Sequence, residues 1–157
     1  MVKASTSELV SFDQDFHAWV LQQIELLKDR RFADLDIEHL TDELRAVAMA
    51  EESEIENRLV ILLHHLLKWE FQPERRSNSW RATILEQRTR INRVISRSPS
   101  LRRHPGAVIE KEYRIGRLQA SGETGLPLGR FPSTCPYSVG QVLDENFLPG
   151  GREGFED

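Results

Sequence analysis

Apolar residues along the chain recur at offsets of three and four, the spacing of one face of an α-helix. After Phe12, the run Phe16, Trp19, Val20, Ile24 and Leu27 predicts a first helix over residues 13–30 with an aromatic-rich buried stripe. The basic residues Lys28, Arg30 and Arg31 suit the negative end of that helix. Asp36 is placed to cap a second helix, whose stripe of Leu40, Leu44, Val47, Ile55, Leu62 and Trp69 meets no Gly or Pro until Pro73. Unbroken, it would run about 54 Å. The alternative is a bend over 49–53, where Glu51 and Glu52 interrupt the stripe.

Ser77 or Ser79 can cap a third helix carrying Trp80, Ile84, Gln87, Ile91, Val94 and Ile95, ending before Ser98. Ser98 and Pro99 form a cap and first-turn pair for a fourth helical stretch reaching about Ala120, which Pro105 should kink or restart. From Gly122 the composition turns to Gly, Pro and Thr, an irregular strap expected to bury Leu126, Phe131 and Cys135. Ser138 with Gln141 is a capping box for a short last helix, residues 139–145. The fold class that follows is all-α: an antiparallel helical bundle of four main helices with a Gly/Pro-rich C-terminal strap and a short last helix. A single helical domain is expected over 12–149, with flexible ends at 1–11 and 150–157.

The 157 residues, 39% hydrophobic and 29% charged, suffice for one buried core. No apolar run approaches the roughly 18 residues of a membrane span, and the first residues lack a signal-peptide block, so a cytoplasmic location away from membranes is expected. One cysteine, Cys135, excludes an internal disulfide and a thiolate zinc site. The net charge of −4 conceals an asymmetry. Residues 1–74 hold 16 acids against 7 Lys/Arg, residues 75–103 hold 9 Arg against one acid, and the remainder holds 8 acids against 5 Lys/Arg. The arginine block can neutralise the acidic first half across a helix interface or offer a phosphate-binding surface.

Four stretches carry a family likeness: DFHAW (15–19), IEHLTDEL (37–44), LLHHLLKWEFQPERRSNSWRATILEQRTRI (62–91) and TGLPLGRFPSTCPYSVGQVLDENFLP (124–149). Their most specific feature is HLLKW and QPE followed by SWRATILEQR. Over about residues 12–149 the chain resembles the bacterial proteins grouped as domain of unknown function 29. The resemblance implies a small helical cytoplasmic protein and implies no reaction. Met49 and Ala50 stand where that family often carries glycine, which implies less bending there.

Candidate chemistry is sparse. Asp36, His39 and Glu43 can project from one side of the second helix as partial metal ligands, but a further ligand must come from a neighbour. His64 and His65 lie about 37 Å further along a straight helix and cannot supply it. Arg58 and His65 share a helix face and fit a helical ribonuclease pattern of Arg, four to six residues, then His. Three such matches occur, where roughly 1.6 are expected by chance. Cys135 reads better as a small buried hydrophobe than as a nucleophile. Glu51 has two readings: a buried carboxylate paired with Arg81 or Arg88, fixing helix register, or an outward group at a bend. Arg90, Arg93 and Arg97 form an exposed ridge, either solvated or a docking face for an acidic protein or a nucleic-acid backbone. Together these favour a non-enzymatic helical interaction or regulatory module, binding a partner protein or self-associating, with no cofactor. A helical ribonuclease, a metal-dependent hydrolase and a nucleic-acid-binding module are the alternatives.

Overall fold

The computed structural model describes residues 9–150. Of the ends expected to be flexible, 1–8 and 151–157 lie outside the described residues; Val10 donates its backbone N–H to Gln22 Oε1 at 2.8 Å. The described residues form helices and turns with no strand, so the fold is all-α. Five α-helices follow in order: α1 (Phe16–Lys28), α2 (Ile37–Phe71), α3 (Asn78–Arg97), α4 (His104–Thr124) and α5 (Val139–Leu143). Within the stretch read as one domain, the chain divides into two compact units, Met1–Ala48 and Met49–Asp157, and α2 passes through the boundary. That helix runs without interruption from Ile37 to Phe71, so the stretch 49–53 is helical despite its paired glutamates.

The first unit holds α1 and the start of α2. α1 begins at Phe16, later than its apolar spacing suggests, because Asp15 accepts the N–H of Ala18 at 2.9 Å and so fixes the cap. The chain leaves α1 through Arg30 in the left-handed region (φ 57°) and a single 3-10 turn, Phe32–Asp34. Asp36 then organises the entry to α2. Its carboxylate accepts the N–H of His39 and the indole N–H of Trp19, while its own N–H goes to the buried Gln23 amide.

The second unit contains the core. Ile55, Leu59, Leu62, Leu63, Leu66 and Leu67 from α2 pack with Ile84 and Ile91 of α3, Ile109 and Tyr113 of α4, and Phe131 and Val142 beyond. Polar pairs give the register of α2 with α3: Lys68 meets Trp80, Arg58 meets Gln87, and Glu51 meets Arg97. Numbers rise on one helix as they fall on the other, so the two are antiparallel. Against α4 they rise together, from Glu56 with His104 to Lys68 with Glu123, so α2 and α4 are parallel.

Sequence signals for the ends of these helices act locally. Pro73 follows the end of α2, and the Ser77 hydroxyl caps α3 by accepting from Trp80 N–H. Pro99 opens a 3-10 turn to Arg103, after which α4 restarts at His104 with Pro105 in its first turn. The end of α4 differs from expectation: the helix passes Ala120 and Gly122 to Thr124, because Gly125 (φ 71°) supplies the left-handed residue that terminates it. The strap is then pinned by donors from α4. Arg117 donates to the carbonyls of Leu128 and Phe131, Tyr113 to Pro132 and Ser121 to Leu126. Ser138 and Gln141 complete the capping box of α5, which stops at Leu143.

Candidate functional site

The residues singled out from the sequence are mostly engaged in holding the second unit together. Glu51 corrects one expectation. It pairs with Arg97 and accepts from the Ser98 hydroxyl at 2.6 Å, whereas Arg81 is exposed and Arg88 turns inward. The reason is register: the antiparallel arrangement places Glu51 against the end of α3, a full two turns beyond Arg88. Arg88, 1% exposed, instead donates from Nε to Val142 O at 2.7 Å and from a terminal nitrogen to Gln141 O at 3.3 Å. These carbonyls lie at the negative end of α5. Burial lowers the Arg88 pKa to about 10, against the opposing pull of Asp144 and Glu145.

The α3 ridge is partly neutralised by the protein itself. Arg90 pairs with Glu86 at 2.8 Å and Arg97 with Glu51, while Arg93 is exposed between them. Arg58 and His65 are held by separate partners: Arg58 by Glu54 and Gln87, and the His65 ring nitrogen by Ile61 O at 2.8 Å. Asp36 and His39 bond to each other at 2.7 Å, and Glu43 lies in the wall of a groove between α1 and α2. No group of three or more His, Cys, Asp or Glu able to hold a metal ion forms among the described residues. Cys135 donates its thiol to Tyr137 O, and burial raises its pKa, the opposite of what a nucleophile needs.

The segment that carries the family likeness builds the corner between α2 and α3. Lys68 stacks over the Trp80 ring at 4.4 Å and donates to Glu123 at 2.7 Å. Arg76 lies over Trp69 and donates to its carbonyl, and the Gln72 amide donates to Thr124 O. His64, 4% exposed, sits 3.1 Å from the same Glu123 carboxylate. Burial pushes the His64 pKa down to about 4, with Lys68 and His65 adding to the shift and Glu123 opposing it. Unfolding restores an ordinary value near 6.5, so the unfolded chain binds the proton first and stability is lost as pH falls from about 6.5 toward 4. Urea titrations at pH 7.5 and pH 5 should differ by about 2 kcal/mol more in the parent than in His64→Gln. Equal losses in the two proteins would contradict a buried neutral imidazole.

The first unit presents a different kind of feature. Between α1 and the start of α2 runs an open groove of about 160 Å³ whose walls are almost wholly apolar. Phe16, Ile24 and Leu27 contribute from α1, and Leu44 and Val47 from α2. These side chains remain 40–69% exposed. The contrast within α2 is sharp: Leu44 and Val47 are 69% and 64% exposed, yet Ile55, Leu59 and Leu62 on the same helix are fully buried. Helical periodicity marks a face as apolar without saying what covers it, which is why the groove was not evident from the sequence. Leu21, Leu26 and Leu27 crowding both sides of α1 were the available hint. The volume is below the roughly 300 Å³ of small-molecule pockets. Its open, apolar form suits side chains from another helix better.

Among the described residues no helix is long and apolar enough to cross a membrane. No match was found among curated proteins or solved structures. The model of one family, domain of unknown function DUF29, matches residues 11–148, the same stretch over which α1 to α5 and the strap are laid down. That coverage takes in nearly the whole chain, and the protein belongs to the DUF29 family.

Proposed function

We propose that this protein is a non-enzymatic helical interaction module, whose first unit receives an amphipathic helix of a partner protein in the groove between α1 and α2. The observation that carries this reading is the exposure of Leu44 and Val47 on a stripe that is fully buried a few turns later. Apolar area of this kind favours association, and a groove between two helices fits the apolar edge of a third. The polar residues that could have suggested catalysis support the same reading. Arg58, His65, Lys68 and Arg88 are bonded within the second unit and act there as structural elements. A single cysteine suits a bacterial cytoplasmic setting, where a disulfide would have no use.

A photo-cross-linking amino acid at position 47 tests the reading in the host cell. The expected result is one discrete adduct, mapped by mass spectrometry to an amphipathic helical segment of another protein and lost when Leu44→Asp is added. Adducts that are absent, or that persist with Leu44→Asp, would refute it.

A further inference from the structure

We infer that the helix received by the first unit is cationic, about three turns long, with an apolar stripe bordered by Lys or Arg. This rests on the proposed docking of a partner helix and adds that helix's chemistry and length. Residues 9–48 hold nine acids and four Lys/Arg, a net −5. Three of the four cations are already occupied: Lys28 by Glu25, Arg31 by Asp34 and Arg45 by Asp42. The uncompensated charge of the unit is therefore negative. Glu43 lies in the groove wall itself. At the Phe16 end, Phe12 packs edge-on to Phe16 and stacks on His39 at 4.2 Å. The Asp36 carboxylate bonds that imidazole, and Asp13 and Glu38 lie close enough to favour its charged form.

An apolar trough with a carboxylate in its wall, on a unit of net negative charge, attracts a helix of opposite sign and repels one of its own. A second copy of this unit would bring a second net −5 against the first, which disfavours a symmetric pairing of the two faces. The wall of α1 from Phe16 to Leu27 spans about 16 Å, the length of three helical turns, so an occupant needs roughly 11 residues with apolar positions at i, i+3 or i+4, and i+7.

Fluorescence polarisation of the full chain with two labelled peptides tests this. One is a 12-residue leucine and lysine helix, and the other has the same leucines with glutamate in place of every lysine. The lysine peptide should bind at least tenfold tighter than the glutamate peptide, and weaken by about fivefold between 50 and 300 mM salt and by a similar factor in Glu43→Lys. Leu44→Asp and Val47→Asp should each abolish binding. Both sites are exposed, so neither variant threatens folding. Because each adds a negative charge, unspecific attraction of the cationic peptide would instead strengthen. Equal binding of the two peptides overturns the cationic assignment and leaves helix docking intact. Failure of both peptides, or binding unmoved by Leu44→Asp, overturns both readings. A sedimentation dimer that Leu44→Asp dissociates assigns the groove to a second copy and overturns the proposal.

Discussion

Arg88→Ala is expected to cost about 3 kcal/mol and to lower the thermal midpoint by roughly 10 °C. The guanidinium is one of the largest fully buried side chains in the protein, and its hydrogen-bond acceptors are main-chain carbonyls of α5. Truncation removes the buried donor of the Val142 carbonyl, leaves Gln141 O with only the Asp144 N–H, and opens a void the length of the side chain. Arg88→Met separates these effects by restoring most of the volume without the donors, so its loss should fall between those of the parent and the alanine variant. Arg88→Lys keeps the charge but loses the fork that reaches two carbonyls, and should not restore parental stability. Hydrogen exchange adds a local readout: amides of residues 139–148 should lose protection before those of α2. A midpoint for Arg88→Ala within about 2 °C of the parent would contradict the assigned role.

Gly116→Val is expected to be comparably damaging, at about 3 kcal/mol. A Cβ at Gly116 would stand 3.1 Å from Val60 O, 3.2 Å from His64 N and 3.4 Å from Leu63 Cβ. The first two are backbone atoms of α2, which cannot rotate aside as a flexible side chain would. Gly116→Ala tests the same approach with one carbon. Its gain in helix propensity, about 1 kcal/mol, should be cancelled or exceeded by the separation it forces on α2 and α4. Gly122 lies on the same helix, and a Cβ there would meet no atom within 4 Å. Gly122→Ala should therefore raise stability, by up to about 1 kcal/mol. Chemical denaturation of the three variants checks the contrast. If Gly116→Ala and Gly122→Ala both stabilise, the close approach is not what limits position 116.

How legible the fold was depended on the range of the signal. Asp36, Ser77 and the Ser138–Gln141 box act on amides three residues away, so their residue types declared the helix starts. The end of α4 was less clear, because Gly122 and Gly125 are both glycines and only the backbone turn distinguishes the terminator from a residue inside the helix. Glu51 required the register of α3 against α2, which is set by the packing of Ile84, Ile91 and Val94 and not by any neighbour in the chain. Arg88 was harder still. Its partners are carbonyls, which every residue carries, so no side chain announced them. At the candidate site, the spacing of Phe16, Ile24, Leu27, Leu44 and Val47 was plain, but burial of their faces was assumed from apolar character alone. Solvent exposure is a property of what stands opposite, and the sequence of one chain does not name it.

The bond between Arg88 and Val142 joins positions 54 residues apart. During synthesis at 5–20 residues per second, Arg88 is added to the chain roughly 3–10 seconds before its acceptors are. Through that interval it stays hydrated, and α2 and α3 can meet only loosely around it. Dehydration of the arginine, and with it the tightening of the hairpin, must wait for the carboxy-terminal residues to arrive. A nascent chain halted before residue 142 is therefore the form most exposed to proteolysis.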